Sequence, residues 1–186
     1  MIAYSPGVEY AWAHIRHLER ARNRALSENA GNYEALTRIS QEAVQDIHWW
    51  LDVLPVTCRK IRIGKPDVLI YCDASGNHGW GAVMGDQNAG ARWSPEEQGY
   101  DNNIKETLAV KYSTRAFTKG MWGLLIKVFS DNQVAVKYVE EMGGLGQDII
   151  DRIAREIWEW CAKYGHYIIV ESVSYTHLTL PTICSV

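Results

Sequence analysis

Apolar and polar positions change their period along this chain. In "VEYAWAHIRHLERARNRAL", Val8 to Leu26, Ala11, Ile15, Leu18 and Ala25 recur at helical spacing, with Arg16, Arg20 and Arg24 four residues apart. The pattern predicts one helix with a basic, solvated stripe. Asn29, Gly31 and Asn32 interrupt it, after which Ser40 reads as the cap of a second helix, "AVQDIHWWLDVL", closed by Pro55. "RKIRIGKP" reads as a short strand and turn, and a boundary is expected between Pro55 and Pro66. From Val68 onward the segments turn β-like: "VLIYCD", "GWGAVM" and "AGARW" are short apolar runs, the first two joined by a turn through Gly76 and Gly79.

The second half alternates. "NNIKETLAVKYSTRAFTKG" is helical and ends at Gly120, "LLIKVFSD" is an apolar strand, and "NQVAVKYVEEMGG" is a helix closed by Gly143 and Gly144. "DIIDRIAREIWEWCAKYG" predicts a further helix with Ile149, Ile153, Ile157 and Trp160 on its apolar stripe and Gly165 at its end, followed by the strand "YIIVE". The order β-β-β-α-β-α-α-β predicts an α/β fold. Three antiparallel strands, then strands joined through helices, give a mixed sheet with helices packed on it.

At 186 residues and 47% hydrophobic, the chain is long enough to bury a core. Its formal charge of -3 argues against coating nucleic acid by bulk electrostatics and leaves room for local basic contacts. No apolar run approaches the roughly 20 residues that span a bilayer, and the first residues lack a basic start followed by an apolar signal core. No membrane partner and an intracellular location, cytoplasm or nucleus, are therefore expected. Cys58, Cys72, Cys161 and Cys184 show neither CxxC spacing nor a paired framework and read as free buried thiols.

Candidate chemistry sits at strand ends. Asp73 follows "VLIYC", Asp131 follows "LLIKVFS", and Glu106 falls in the first turn of the helix between them. If those two strands are neighbours, three carboxylates meet at one end of the sheet. Clustered acids raise one another's pKa, and a fold that keeps them together usually supplies a cation. Hard oxygen ligands point to Mg²⁺ or Mn²⁺. Taken singly, a strand-end Asp is commonly a turn former or helix cap, and Glu106 a surface residue favoured by the helix dipole. Trp49, Trp50, Trp158 and Trp160 fall at helical spacing and read as core or domain packing in preference to base stacking.

Together, "YCDASGNHGWGAVM", "NNIKETLAV" and "FSDNQVAVKYVEEMGG" resemble, in order and spacing, the three acidic motifs of ribonuclease H, above all those of DIRS-like reverse-transcribing elements. Asp73, Glu106 and Asp131 take the acid positions. Asn103 stands three before Glu106 as in that family, and "RWSPEEQ" matches the stretch ahead of the second motif. Upstream, "YEALTRISQEAVQDIHWW" resembles the segment joining reverse transcriptase to its ribonuclease H. The resemblance implies a ribonuclease H-like domain over residues 64–172, a helical connection segment over 1–63, and an adjoining reverse transcriptase domain as partner. It implies hydrolysis of the RNA strand of RNA:DNA hybrids during reverse transcription, with two Mg²⁺ or Mn²⁺ ions roughly 4 Å apart. In that family's terms Asp73 would bridge the ions. Glu106 would hold the ion on the leaving-group side and the nearby 2′-hydroxyl, and Asp131 the ion that activates water. Ser75, Gly76 and Asn77 form a turn of little bulk that the sugar-phosphate backbone can approach. Asn103 and Asn132 are candidate polar contacts, with cap chemistry the plainer role for Asn132.

Family members also carry a fourth acid on a later helix, after a His-containing loop, and this sequence does not reach one. His166 reads as a helix-end histidine and His78 as an exposed turn residue. "VSYTHLTLPT", Val173 to Thr182, resembles a transposon-based sequencing adapter read through in one frame, with Ile183 to Ser185 as a sample index and Val186 as the adapter codon before its stop. Residues 173–186 are therefore expected to be an artificial tail, natural sequence to end near Glu171 or Ser172, and cleavage to be impaired. Two other classes compete. The intact acids speak against a noncatalytic module supporting a polymerase, and a transposase of related fold would need Glu156 or Glu159 as its third acid.

Overall fold

The computed structural model describes residues 2–62 and 64–173, with backbone alone at 2–4. Apart from Val173, the expected artificial tail and its Cys184 lie outside the described residues. Helices α1 (Arg16–Glu28) and α2 (Gln41–Val53) come first, and Ser40 caps α2 by accepting from Ala43 N. Then follow β1 (Val68–Ala74), β2 (Gly79–Met84), β3 (Gln87–Arg92), α3 (Pro95–Gln98), α4 (Asn102–Thr118), β4 (Leu125–Ser130), α5 (Gln133–Glu140), α6 (Asp148–Tyr164) and β5 (Tyr167–Ser172). The sheet order is β3-β2-β1-β4-β5. β1, β2 and β3 pair antiparallel, whereas β1 with β4 and β4 with β5 pair parallel. This is the mixed sheet that the sequence predicts. The short α3 is an addition, set by a capping box between Ser94 and Glu97 around Pro95.

Strand alternation sets the core. Ile70 and Cys72, Ile126 and Val128, and Ile168 and Val170 are buried with residues of α4, α5 and α6, while Leu69, Tyr71, Lys127, Phe129 and Ile169 take the other face. α4 lies between the sheet and α6, so burial runs round the helix and includes Lys105, Glu106 and Thr107. The apolar stripe of α6 is displaced from the expected one. Ile150, Ile153, Ile157, Trp158 and Cys161 are buried, and Ile149 and Trp160 only partly. Left-handed Gly165 ends α6, and the N–H of His166 reaches back to Cys161 O at 2.8 Å.

The N-terminal stretch departs from the single predicted helix. Tyr10 is left-handed (φ 62°), and the chain makes a 3-10 turn over Ala11–His14 before α1 begins at Arg16. Tertiary contacts override the local pattern: Tyr10 Oη donates to His166 O at 2.7 Å, and Trp50 Nε1 donates to His14 O at 2.9 Å. The basic stripe is solvated only at Arg24. Arg16 donates to Glu141 O (2.6 Å), and Arg20 donates to Gly144 O (3.0 Å) and pairs with Asp148 (3.3 Å) and Asp151 (3.1 Å). "RKIRIGKP" forms no strand among its described residues; the Arg59 N–H instead bonds Gly7 O at 2.8 Å, and Arg62 pairs with Glu9. Cys58 is exposed, whereas Cys72 and Cys161 are buried as expected. Trp50 and Trp158 are core residues, and Trp49 stacks on His14 with centroids 3.9 Å apart.

Asp46 joins the N-terminal helices to α6. It is buried on α2, with Arg155 at 3.2 Å, His17 at 3.2 Å and His14 at 3.5 Å. Burial works against its charge, but the hydrogen bonds from His14 and Arg155 outweigh it and hold the carboxyl below its ordinary range. Asp46→Ala strands Arg155 and is expected to cost on the order of 3 kcal/mol in urea unfolding. Adding Arg155→Leu is expected to recover part of that loss. Because the folded pKa is depressed, the Asp46 contribution is present above the unfolded pKa and lost as pH falls through the folded one, a dependence that Asp46→Asn removes.

Candidate metal centre

Parallel pairing of β1 with β4 sets Ile70 beside Val128 and Tyr71 beside Phe129. Asp73 and Asp131 each stand two residues further on, so they emerge together at the C-terminal ends of neighbouring strands. α4 supplies the third acid. Its N-cap is Asp101, whose carboxylate accepts from Ile104 N at 3.0 Å, and Glu106 therefore lies in the second turn and not the first. One carboxylate oxygen from each of Asp73, Glu106 and Asp131 lies within 4.8 Å of the others.

Glu106 is the buried member, and its Oε2 has no hydrogen-bond partner. No Lys, Arg or His among the described residues pairs with any of the three acids. Burial, followed by the charges of Asp131 and Asp73, pushes Glu106 up to about 8. Burial and then Asp131 push Asp73 up as well, against the N–H of Ala74, which donates to its Oδ1 at 2.9 Å. An anionic, all-oxygen, partly dehydrated donor set with an orphaned buried oxygen suits a hard divalent cation such as Mg²⁺ or Mn²⁺. The neighbouring Cys72 adds no soft ligand, because burial first and then the same acids push its thiol up.

The turn after Asp73 is held from three sides. Trp93 Nε1 donates to Ser75 O (2.6 Å), Ser75 N donates to Gly79 O (2.8 Å), and Lys105 Nζ donates to both Gly76 O (2.6 Å) and Gln98 O (2.9 Å). Gly79 has no alternative, since a Cβ there would lie 2.0 Å from Ala91 O. Ser75 and Asn77 remain exposed, and His78 is exposed as expected, its Nδ1 3.2 Å from Ser75 Oγ. Asn132 caps α5 by accepting from Ala135 N (2.9 Å), and its amide also donates to Asn103 Oδ1 (2.9 Å). The cap role and the polar pair are thus one arrangement.

Lys105 and Trp93 are the supports that the sequence pattern misses. A lysine next to a candidate acid reads as surface until α4 is known to be covered by both the sheet and α6. His166 is structural: it is wholly buried, its Nδ1 accepts from Leu124 N at 3.1 Å, and burial pushes its pKa down. Glu156 pairs with Lys111 at 2.6 Å and Glu159 is exposed; neither belongs to the carboxylate group.

No protein-family model and no curated protein matches the chain. Among solved structures it is similar to RNase H1 from the halophilic archaeon Halobacterium salinarum, at 18% identity over 58% of this chain and 86% of that one, with a TM-score of 0.48. It is similar also to LC11-RNase H1 in complex with RNA/DNA hybrid, at 16% identity over 57% of this chain and 86% of that one, with a TM-score of 0.44. The foamy viral protease-reverse transcriptase in complex with RNA/DNA hybrid aligns at 12% identity over 83% of this chain and 26% of that one, with a TM-score of 0.43. No helix among the described residues is long and apolar enough to cross a membrane.

Between its ordinary value of 4.5 and about 8, Glu106 keeps a proton in the folded, metal-free chain that the unfolded chain gives up, so stability falls as pH rises through that window. Thermal unfolding in EDTA is expected at a higher midpoint near about pH 5 than near about pH 8, with the difference reduced in Glu106→Gln. Lys105→Met leaves two carbonyls without their donor. It is expected to cost about 2–3 kcal/mol in urea unfolding and to speed amide exchange at Ser75 and Trp93.

Proposed function

We propose that this chain is a metal-dependent ribonuclease H-type endoribonuclease that hydrolyses the RNA strand of RNA:DNA hybrids within a retroelement reverse transcriptase. The reading is carried by the convergence of Asp73, Glu106 and Asp131, with Glu106 Oε2 buried and unpartnered, at the positions that resemble the three acidic motifs. In this reading Asp73, Glu106 and Asp131 hold two Mg²⁺ or Mn²⁺ ions. Such ions, when bound, supply a nucleophilic water at neutral pH and offset charge on the departing 3′ oxygen.

The chain's own residues prepare the rest. Asp73 and Asp131 sit at the ends of paired strands, which fixes their separation more firmly than loops would. Glu106 adds the third charge from α4 and stands nearest in role to the 2′-hydroxyl, the group that tells RNA from DNA. Ser75, Gly76 and Asn77 offer a low-bulk turn, stapled by Lys105 and Trp93, for the sugar-phosphate backbone. Asn103 and Asn132 hold each other in place as polar contacts. Residues 64–172 form the ribonuclease H domain and 1–63 its connection to the polymerase, clasped through Arg16, Arg20 and Asp46.

Mn²⁺ titration by calorimetry is expected to show binding that Asp73→Asn weakens about tenfold or more. With labelled RNA:DNA hybrid and Mn²⁺, RNA-strand cleavage, however slow, is expected to fall roughly a hundredfold or more in Asp131→Asn. An unchanged isotherm in Asp73→Asn would refute the metal site. Cleavage that survives Asp131→Asn, or equal cleavage of duplex DNA, would refute the activity.

A further inference from the structure

The end of the sheet opposite the acids carries a mixed aromatic and cationic face. Between α4 and β4 the chain makes a tight loop, with positive φ at Gly120 (80°) and Gly123 (70°). Met121 N donates to Thr118 O (3.1 Å) and Gly123 N to Tyr164 O (2.9 Å), so the loop is fastened at both ends. It holds Met121 and Trp122 out in solvent, 42% and 68% exposed. The Trp122 ring meets Tyr164 edge-on with centroids 4.9 Å apart, and Tyr164 meets Trp160 at 4.4 Å. Cations alternate with these rings: Arg115 lies 5.4 Å over Trp160, and Lys163 5.4 Å over Tyr164. Lys119, at the base of the loop, is exposed and has no ion pair among the described residues. Of the acids on this part of α6, Glu156 is neutralised by Lys111 and Glu159 is exposed.

A tryptophan fastened in solvent adds little to folding and presents a rigid π-face to a ligand. On a chain of formal charge -3, gathering Arg115, Lys119 and Lys163 about three rings selects a partner that is both flat and anionic. Unpaired nucleic acid has that chemistry: bases stack on aromatic faces while phosphates meet the lysines. A duplex does not, because its base faces are already stacked. We propose that Trp122, with Tyr164, Trp160, Lys119 and Lys163, is a docking site for single-stranded nucleic acid, separate from the carboxylate centre. The length of β4, about 20 Å, lies between the two.

The test measures anisotropy of a labelled oligothymidylate of roughly a dozen nucleotides against the full chain in EDTA. Removing metal keeps the result independent of how Asp73, Glu106 and Asp131 are read. The single strand is expected to bind, with Trp122→Ala weakening it about tenfold and Trp122→Phe much less. Lys119→Ala with Lys163→Ala is expected to reduce the salt dependence. Circular dichroism verifies that each exposed-site variant is folded. Absence of binding, unchanged affinity in Trp122→Ala, or equal binding of a blunt duplex overturns the proposal. Self-association lost in Trp122→Ala, with no oligonucleotide bound, overturns it in favour of a second copy of the chain.

Discussion

The parallel pairing of β1 with β4 is the contact on which the rest depends. It buries Ile70, Cys72, Ile126 and Val128 on one face and, in the same register, brings Asp73 beside Asp131. A slip of one residue would turn the core side chains outward and separate the acids. The energies are comparable. Burying Glu106, and then holding it against Asp131 and Asp73, costs on the order of 3 kcal/mol at neutral pH, given its rise to about 8. Burial of one or two aliphatic side chains, at about 2 kcal/mol each, offsets that. The sheet can therefore sustain an unfavourable electrostatic arrangement with no Lys, Arg or His among the described residues paired to the acids.

α4 carries both the cost and its support. Because the helix is covered by the sheet and by α6, Glu106 loses water and Lys105 must find acceptors. The lysine finds them in Gly76 and Gln98, which ties the turn after Asp73 to the helix that bears the third acid. Two adjacent titratable residues, one basic and one acidic, thus serve different ends. Lys105 satisfies backbone carbonyls, and Glu106 is left with an unpartnered oxygen.

Much of this was legible in the sequence because the governing signals are local. Short apolar runs marked the strands, Gly165 marked the end of α6, and the strand-end positions of Asp73 and Asp131 marked where the carboxylates meet. What escaped was tertiary. Tyr10 bonding His166 breaks a helix that the residues around it would form, and Arg16 and Arg20 look solvated until the backbone after α5 is placed against them. The α6 stripe was misplaced because Ile149 and Ile150 are equally apolar, and only the direction of the packed face separates them. Lys105 was invisible for the same reason: burial on both sides of α4 is a property of the layers and leaves no periodic trace.

The sheet's connectivity has a kinetic side. β1, β2 and β3 pair with their neighbours in sequence through short turns, so this meander closes small loops. β1 meets β4 only after the chain has passed through α3 and α4, a closure of much greater entropy cost. On loop-closure grounds the meander is expected to form first, so that the repulsion between Asp73 and Asp131 enters only when the middle of the sheet is joined. In that order, long-range closure would bring the like charges together only once neighbouring apolar strands can oppose their repulsion.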